Sequence, residues 1–296
     1  MSPRWNKGRS LVVPFAVIAA IAVLVLSTAV GLSQLATRSP VQEGATVAAL
    51  NGAGAGTDGN ASGGSASTCV QASVPLGAAG NFRVLAGTTV TNTGATVVKG
   101  NLGVSPGSAV TGFPPGKVTG TQYIADTAAA NAQIALAKAY ANAMGRTNCP
   151  TSVAGNIGGK TLSPGLYVST SSLAISSGDL TLTAKGHSNA VFIFKIATKF
   201  TTSSGRSVIL AGGALASNIY WVVGSSATLG TTSVVYGTIL AHKSISMATG
   251  STLHGRALAH IGAVTLAGNV VTHTTAGAPA AVSTPTLAVS LTRVYS

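Results

Sequence analysis

The chain reads as a mostly β protein whose strands coil into a right-handed, three-faced β-solenoid of about 18 residues per rung. Three observations lead there. First, residues 229–242 and 247–260 carry one pattern twice at a constant offset of eighteen, so that Val235 falls over Leu253, Gly237 over Gly255, Leu240 over Leu258 and Ala241 over Ala259. Second, a third copy, one residue longer, runs from Leu266 through Gly268 and Asn269 to His273. Third, each copy is rich in Val, Ile, Thr and Gly with apolar residues two apart, the period of a strand and not of a helix. A unit this short cannot bury its own apolar side, so the copies must stack.

From the start of the chain, Arg4, Lys7 and Arg9 precede an apolar run over 11–30 that is broken only by Pro14, Ser27 and Thr28. This is an export signal with a positive leading region. The small residues Ser27-Thr28-Ala29 offer a cleavage site, and the run is about long enough to span a bilayer if left uncut. Residues 1–33 are therefore a signal peptide or an N-terminal signal anchor, with membrane anchoring through 11–33 in the second case. Either way the rest of the chain is placed outside the cytoplasm, secreted or extracellular. Residues 34–68 are Gly-, Ala- and Ser-rich without apolar periodicity and read as a flexible linker.

Cys69 opens the folded part, 69–275, and Cys149 is the other cysteine. Two cysteines in an exported chain point to a disulfide, which would close a loop of about eighty residues with an entropic ceiling of about 4–5 kcal/mol; two buried free thiols are the alternative. Residues 84–110 read as strands punctuated by Gly87, Gly94, Gly100, Gly103 and Gly107, and 111–116 as a rigid turn. Residues 124–145 read as the one helix, dense in Ala, free of Pro and ending at Gly145 in the C′ position. Its apolar side holds Ala129, Ala132, Leu136, Tyr140, Ala143 and Met144, opposite Thr127, Asn131, Lys138 and Asn142. After Pro150 the strand pattern returns at 165–168, 180–182, 191–194, 208–210 and 219–223 and enters the regular rungs. The tail at 276–296, with Pro279 and Pro285, reads as mobile.

Seven strings in order carry a family resemblance: Asn81-Phe-Arg-Val-Leu-Ala-Gly87, Gly100-Asn-Leu-Gly-Val-Ser-Pro-Gly107, Thr111-Gly-Phe-Pro-Pro-Gly116, Leu162-Ser-Pro-Gly-Leu-Tyr167, Ala190-Val-Phe-Ile-Phe194, Tyr220-Trp-Val-Val-Gly-Ser-Ser226 and Gly255-Arg-Ala-Leu-Ala259. Over roughly 82–274 the chain resembles the microbial ice-binding proteins of the DUF3494 type. The resemblance implies a discontinuous solenoid, in which the segment before the helix joins the stack out of sequence order, with the long helix packed alongside. It also implies an ice crystal surface as the partner.

Composition narrows the chemistry. Only 7% of residues are charged, and the net charge of +13 arises because Glu43, Asp58, Asp126 and Asp179 are the only acids. The seventeen Lys and Arg are dispersed without interleaved aromatics, which excludes a nucleic-acid surface. Solenoid enzymes need carboxylates as calcium ligands or as general acids and bases, and the folded part has only Asp126 and Asp179. No Gly-x-Ser-x-Gly string occurs, so no enzyme, cofactor or metal is expected. His242 with His260, and His254 with His273, occupy equivalent places in successive copies and would stand as neighbours; a zinc site there, or a metal-dependent enzyme, would need Asp179 to join them.

Hydroxyl-rich surface remains. Thr93-Gly-Ala-Thr96 and Thr249-Gly-Ser-Thr252 both read Thr-Gly-x-Thr, a motif some relatives carry on their ice face; Ser204-Gly-Arg-Ser207 is a degenerate version and Thr231-Thr232-Ser233 sits in the equivalent place. The candidate ice-binding residues are therefore Thr93, Thr96, Ser204, Ser207, Thr231, Thr232, Ser233, Thr249, Ser251 and Thr252. On a flat solenoid side such groups form a grid, with neighbouring rungs about 4.7–4.9 Å apart. The expected protein is a monomeric, exported ice binder that inhibits ice growth and recrystallisation through a Thr/Ser/Ala-rich face. The alternative is a surface adhesin or structural module that holds a polysaccharide or protein partner.

Overall fold

The alternation of apolar and polar residues becomes, in the computed structural model, a stack of parallel strands arranged on three faces; the structure describes residues 69–187 and 189–273. The leader at 1–33, the linker at 34–68 and the tail at 276–296 lie outside the described residues. Every strand pairing among the described residues is parallel, as a coil requires. Each strand sends alternate side chains inward, and the inward ones fill a single core.

The first face runs from Pro150–Ser152 through Gly165–Ser169, Phe192–Ile196 and Ile219–Val223 to the C-terminal halves of two long strands, Val234–Ala241 and Thr252–Ala259. The second face stacks Gly155–Asn156, Leu173–Ile175, Phe200–Thr202, Ala227–Leu229, Ile245–Met247 and Val264–Ala267. The third holds Thr161–Leu162, Leu180–Thr183, Val208–Ala211, the N-terminal halves of the two long strands and Val270–Thr272. Onto this stack the N-terminal coils add themselves out of order. Phe82–Ala86 pairs with Thr252–Ala259, Thr89–Thr93 with Val264–Ala267, and Val97–Val98 with Val270–Thr272. A further coil, Asn101–Val104, Ala109–Thr111 and Lys117–Val118, closes that end. The solenoid is discontinuous, as the resemblance implied.

The eighteen-residue offset is the register of the two long strands: Val235 pairs with Leu253, Gly237 with Gly255, Leu240 with Leu258 and Ala241 with Ala259. At Gly237 and Gly255 these strands leave the third face for the first. Gly237 has φ of +113°, and a Cβ on Gly255 would lie 1.7 Å from the Gly237 carbonyl oxygen. Only glycine lets adjacent coils turn this corner in contact. Inside, Phe194 stacks on Trp221 at 4.2 Å between ring centroids, Phe200 stacks on Trp221 at 4.5 Å, and the indole Nε1 donates to the Tyr236 carbonyl. The apolar run around Trp221 is therefore core.

One helix, α1 (Thr127–Met144), lies against the first face. Its buried residues are Ala129, Ala132, Gln133, Leu136, Ala139 and Ala143, so small side chains bring the helix close to Leu85, Ile193, Tyr220, Leu240 and Leu258. The sequence places its start at Ile124, but 122–124 pairs as a strand with Asn101–Val104, and the helix begins only after Asp126, whose Oδ1 accepts from the Ala129 N–H at 2.8 Å. Gly145 ends it with φ of −75°, not in the left-handed C′ conformation expected from the sequence; the chain turns there while Arg146 donates to the Ala72 and Ser73 carbonyls. Removing the cap in Asp126→Ala should cost about 1 kcal/mol. The melting temperature of the variant should accordingly fall by about 2–4 °C; an unchanged value would mean the cap contributes nothing.

The segment before the first strand is strapped to the helix end. Cys69 and Cys149 form the disulfide expected from the sequence, with Cα atoms 5.5 Å apart, and Gln71 donates to the Asn148 carbonyl at 2.9 Å. The turn Gly77–Asn81 and Val74 complete the cover over the first face.

Candidate functional site

The helix and the strap cover the first face, which leaves two faces open. They differ in kind. Outward positions of the third face include Lys117, Ile209, Tyr236 and His254 beside Thr161, Thr181 and Thr252, a mixture of charge, ring and aliphatic groups. The eight strands of the second face contain no charged residue, and their one aromatic, Phe200, points into the core.

The central outward position of that face repeats from coil to coil. Thr111 pairs with Thr91, Thr91 with Thr265, Thr265 with Ser246, Ser246 with Thr228, Thr228 with Thr201, Thr201 with Ala174, and Ala174 with Asn156. From Thr91 to Ala174 each sits between buried residues such as Val90 and Asn92, Ala227 and Leu229, or Val264 and Leu266. Adjacent members stand about 4.7–4.9 Å apart, so the column from Thr111 to Ala174 is roughly 29 Å long. A second outward column begins with Thr93 beside Ala267, and a third with Thr89 beside Ala109. Five of the seven positions from Thr111 to Ala174 are threonines, whose branched Cβ limits χ1 and so holds each methyl and hydroxyl in place before any contact is made.

The residues picked from the sequence mostly occupy the corner beside this face. Thr93 alone lies in one of its strands. Ser204, Thr231, Thr232 and Thr249 are exposed in the turns that lead to the third face, Ser207 forms a bridge with Val234 at the start of that face, and Thr252 is an outward residue on it. Thr96, Ser233 and Ser251 are each 0% exposed and have no surface to present, which corrects their assignment. The physical reason is that the turns fold inward and use these hydroxyls for their own backbone. Thr96 Oγ1 accepts from the Asn269 N–H, Asn269 Nδ2 donates to Ser251 Oγ at 3.0 Å, and Ser233 Oγ donates to the Gly230 carbonyl while accepting from Thr202 Oγ1. This internal ladder satisfies polar groups that would otherwise be buried without partners and stiffens the edge of the second face. The column lies outside the Thr-Gly-x-Thr strings; its signal in the sequence is a small residue, Thr, Ser or Ala, between apolar ones, as in Ala227-Thr228-Leu229, Ile245-Ser246-Met247 and Val264-Thr265-Leu266.

The histidines fall in two arrangements. His242 and His260 are neighbours on adjacent coils with ring centroids 5.8 Å apart, as the repeat implies. His254 does not pair with His273: it stands opposite Thr272, because the longer third copy shifts the register, and its ring stacks on Tyr236 at 4.5 Å. Among the described residues no group of three His, Cys, Asp or Glu comes together to hold a metal. Asp179 accepts from the Ser207 N–H and pairs with Arg206, away from any such role.

Burial lowers the pKa of His254; His260 is lowered by burial and then by His242, and His273 by burial and then by Arg83 and Arg256. Each therefore binds its proton less readily folded than unfolded, where the value is about 6.5. Stability is full above that pH and is lost as pH falls from about 6.5 toward the lower folded values. The melting temperature should fall between pH 7.5 and 5, a window chosen above ordinary carboxylate titration, and replacing the three histidines with Gln should flatten the curve. A wild-type curve already flat over that window would contradict the shifts.

The comparisons with known proteins agree on one group. A family model described as Ice-binding-like matches residues 84–272. The chain is 48% identical over 200 residues to an ice-binding protein of Nostoc sp. (strain HG1), covering 67% of this chain and 73% of that protein. It is 40% identical over 215 residues to an ice-binding protein of Flavobacterium frigoris (strain PS1), covering 67% and 76%. Among solved structures it is similar to an ice-binding protein from an Antarctic biological consortium, with 53% identity, a TM-score of 0.68, and 69% and 92% of the two chains covered. An ice-binding protein with antifreeze activity from an Arctic yeast has 32% identity and a TM-score of 0.64, covering 70% and 96%.

Proposed function

Because the chain belongs to the Ice-binding-like family, we propose that it binds ice through the second face, adsorbing to crystals and so slowing their growth and recrystallisation. The observation that carries this reading is the column Thr111, Thr91, Thr265, Ser246, Thr228, Thr201 and Ala174 on a face without charge. A parallel stack holds its side chains at a fixed repeat, so the threonine methyls and hydroxyls define positions for a layer of water that can merge with a lattice. The ordering entropy is met in folding and not at the moment of contact. Strongly hydrated charges would hold liquid-like water instead, which gives the scarcity of acidic residues a physical reason.

Thr93 extends this face on one side, and the exposed corner residues Ser204, Thr231, Thr232 and Thr249 lie at its margin. The protein acts outside the cytoplasm, delivered by the leader at 1–33, and as a monomer, since one flat face suffices for adsorption. Among the described residues no helix is long and apolar enough to cross a membrane; where the leader stays uncut, residues 11–33 would be the anchor. A sugar-binding adhesin would present aromatic rings on its open sheet; here Trp221 is fully buried and the second face turns no ring outward. Ice-affinity partitioning of the full chain tests the proposal. The protein should be taken up into a slowly growing ice front, and retention in the liquid would overturn the reading.

A further inference from the structure

The joint where the N-terminal coil takes its place in the stack gathers positive charge with no carboxylate among the described residues to balance it. On the first face, the strand that follows Thr252–Ala259 is Phe82–Ala86, and the pairing of Val84 with Ala257 sets Arg83 beside Arg256. Thr238 stands opposite Arg256 on the preceding coil. His273, just past Val270–Thr272, is close enough to both arginines for their charges to lower its pKa. The carboxylates of the described residues are elsewhere: Asp126 caps the helix and Asp179 pairs with Arg206. Arg256 Nε donates to the Gly80 carbonyl at 3.0 Å, the one hydrogen bond either guanidinium makes among the described residues.

Much of the unmet hydrogen-bonding capacity of the described residues lies here. Arg83 Nε and Nη1, Thr238 Oγ1, His254 Nδ1 and His273 Nδ1 are all buried without a partner. Buried polar groups are almost always paired, so a group of orphans calls for a partner from outside the chain, an ion or ordered water. A cavity of about 500 Å³, lined by Gly80, Asn81, Arg83, Asn101 and Tyr123 among others, opens onto Arg83. We propose that this joint binds a small oxyanion, a sulfate, phosphate or carboxylate, at the Arg83 guanidinium where the cavity meets it, on the strand beside that of Arg256. A planar fork of N–H donors suits two oxygens of such an anion, and an anion eases the repulsion between two neighbouring half-buried cations. Consistent with that repulsion, burial and then Arg83 push Arg256 down to about 10, which still leaves it protonated at neutral pH. The bound anion would seal the break in the stack, independently of ice binding.

The test uses the full chain at fixed ionic strength. Inorganic phosphate, sulfate or acetate, exchanged for chloride at low millimolar concentration, should raise the melting temperature saturably by about 2–4 °C at a concentration several times Kd. Arg83→Gln, which shortens the side chain and removes the charge but keeps an N–H donor, should lose that rise; the three anions distinguish tetrahedral from planar ligands. Calorimetric titration of the unmodified protein with phosphate and with acetate should show one saturable site, and His273→Gln, at the rim, should weaken it while leaving it present. A rise no greater than chloride gives, no saturable heat with either titrant, or an equal rise in Arg83→Gln would overturn the site.

Discussion

Gly255→Val should destabilise the protein by about 3 kcal/mol or more, at the upper end of what overpacking costs. For a domain of this size that lowers the melting temperature by roughly 6–12 °C. The first atom of the new side chain would sit 1.7 Å from the Gly237 carbonyl oxygen and 2.5 Å from its carbon, where backbone and not a flexible side chain must yield. Giving way there separates two coils along strands paired over eight residues, from Val234 with Thr252 to Ala241 with Ala259. Gly205→Asn is the matched control. Gly205, unlike Gly255, has a positive φ, +71°, but nothing lies within 4 Å of its added Cβ, and Asn tolerates that region. The control should melt close to wild type. Gly255→Val melting with it would mean that the coils do not stack in this register.

The same glycine shows how much of the fold could be read in advance. An eighteen-residue repeat is a statement about register, and residue for residue it became the pairing of the two long strands. The helix was legible because alanines at helical spacing have no other use. Four of its six buried residues, Ala129, Ala132, Leu136 and Ala143, fall on the side read as apolar, while Gln133 and Ala139 do not appear in that reading and Tyr140 and Met144 are only partly buried. Joining of the N-terminal coils to the C-terminal end was beyond any local pattern, since the pairing of Val84 with Ala257 links residues more than half the chain apart; family resemblance supplied it. The functional face was only half legible. A hydroxyl in a turn can face water or satisfy the backbone, and Thr96, Ser233 and Ser251 read like Thr249 in sequence although they are sealed inside. What separates them is the direction of the turn, which depends on the coil beneath. Threonines inside strands escape that ambiguity, because burial of both chain neighbours forces the middle side chain outward, as for Thr228 between Ala227 and Leu229. The charge at Arg83 and Arg256 was invisible for the same reason as the coil order, since the two meet only at the joint.

Thr228→Tyr should reduce thermal hysteresis and ice recrystallisation inhibition several-fold while leaving the fold intact. Thr228 is exposed at the middle of the second face, between Thr201 and Ser246, so a ring there stands proud of the plane and holds the neighbouring rows off the crystal. Its side chain carries no hydrogen bond that the fold depends on, and exposed substitutions of this kind usually cost within about 0.5 kcal/mol. Adding Thr265→Tyr, one coil beyond Ser246, should abolish what activity is left. Thr252→Tyr makes the comparison sharp: the same change, on the third face, in the corner motif that stands out most in the sequence. The deciding measurement is thermal hysteresis of Thr228→Tyr and Thr252→Tyr side by side, each with a melting curve to show it is folded. Adsorption through the second face predicts that Thr228→Tyr loses activity and Thr252→Tyr keeps it. A folded Thr228→Tyr with full hysteresis beside an inactive, folded Thr252→Tyr would place the ice contact on the third face instead.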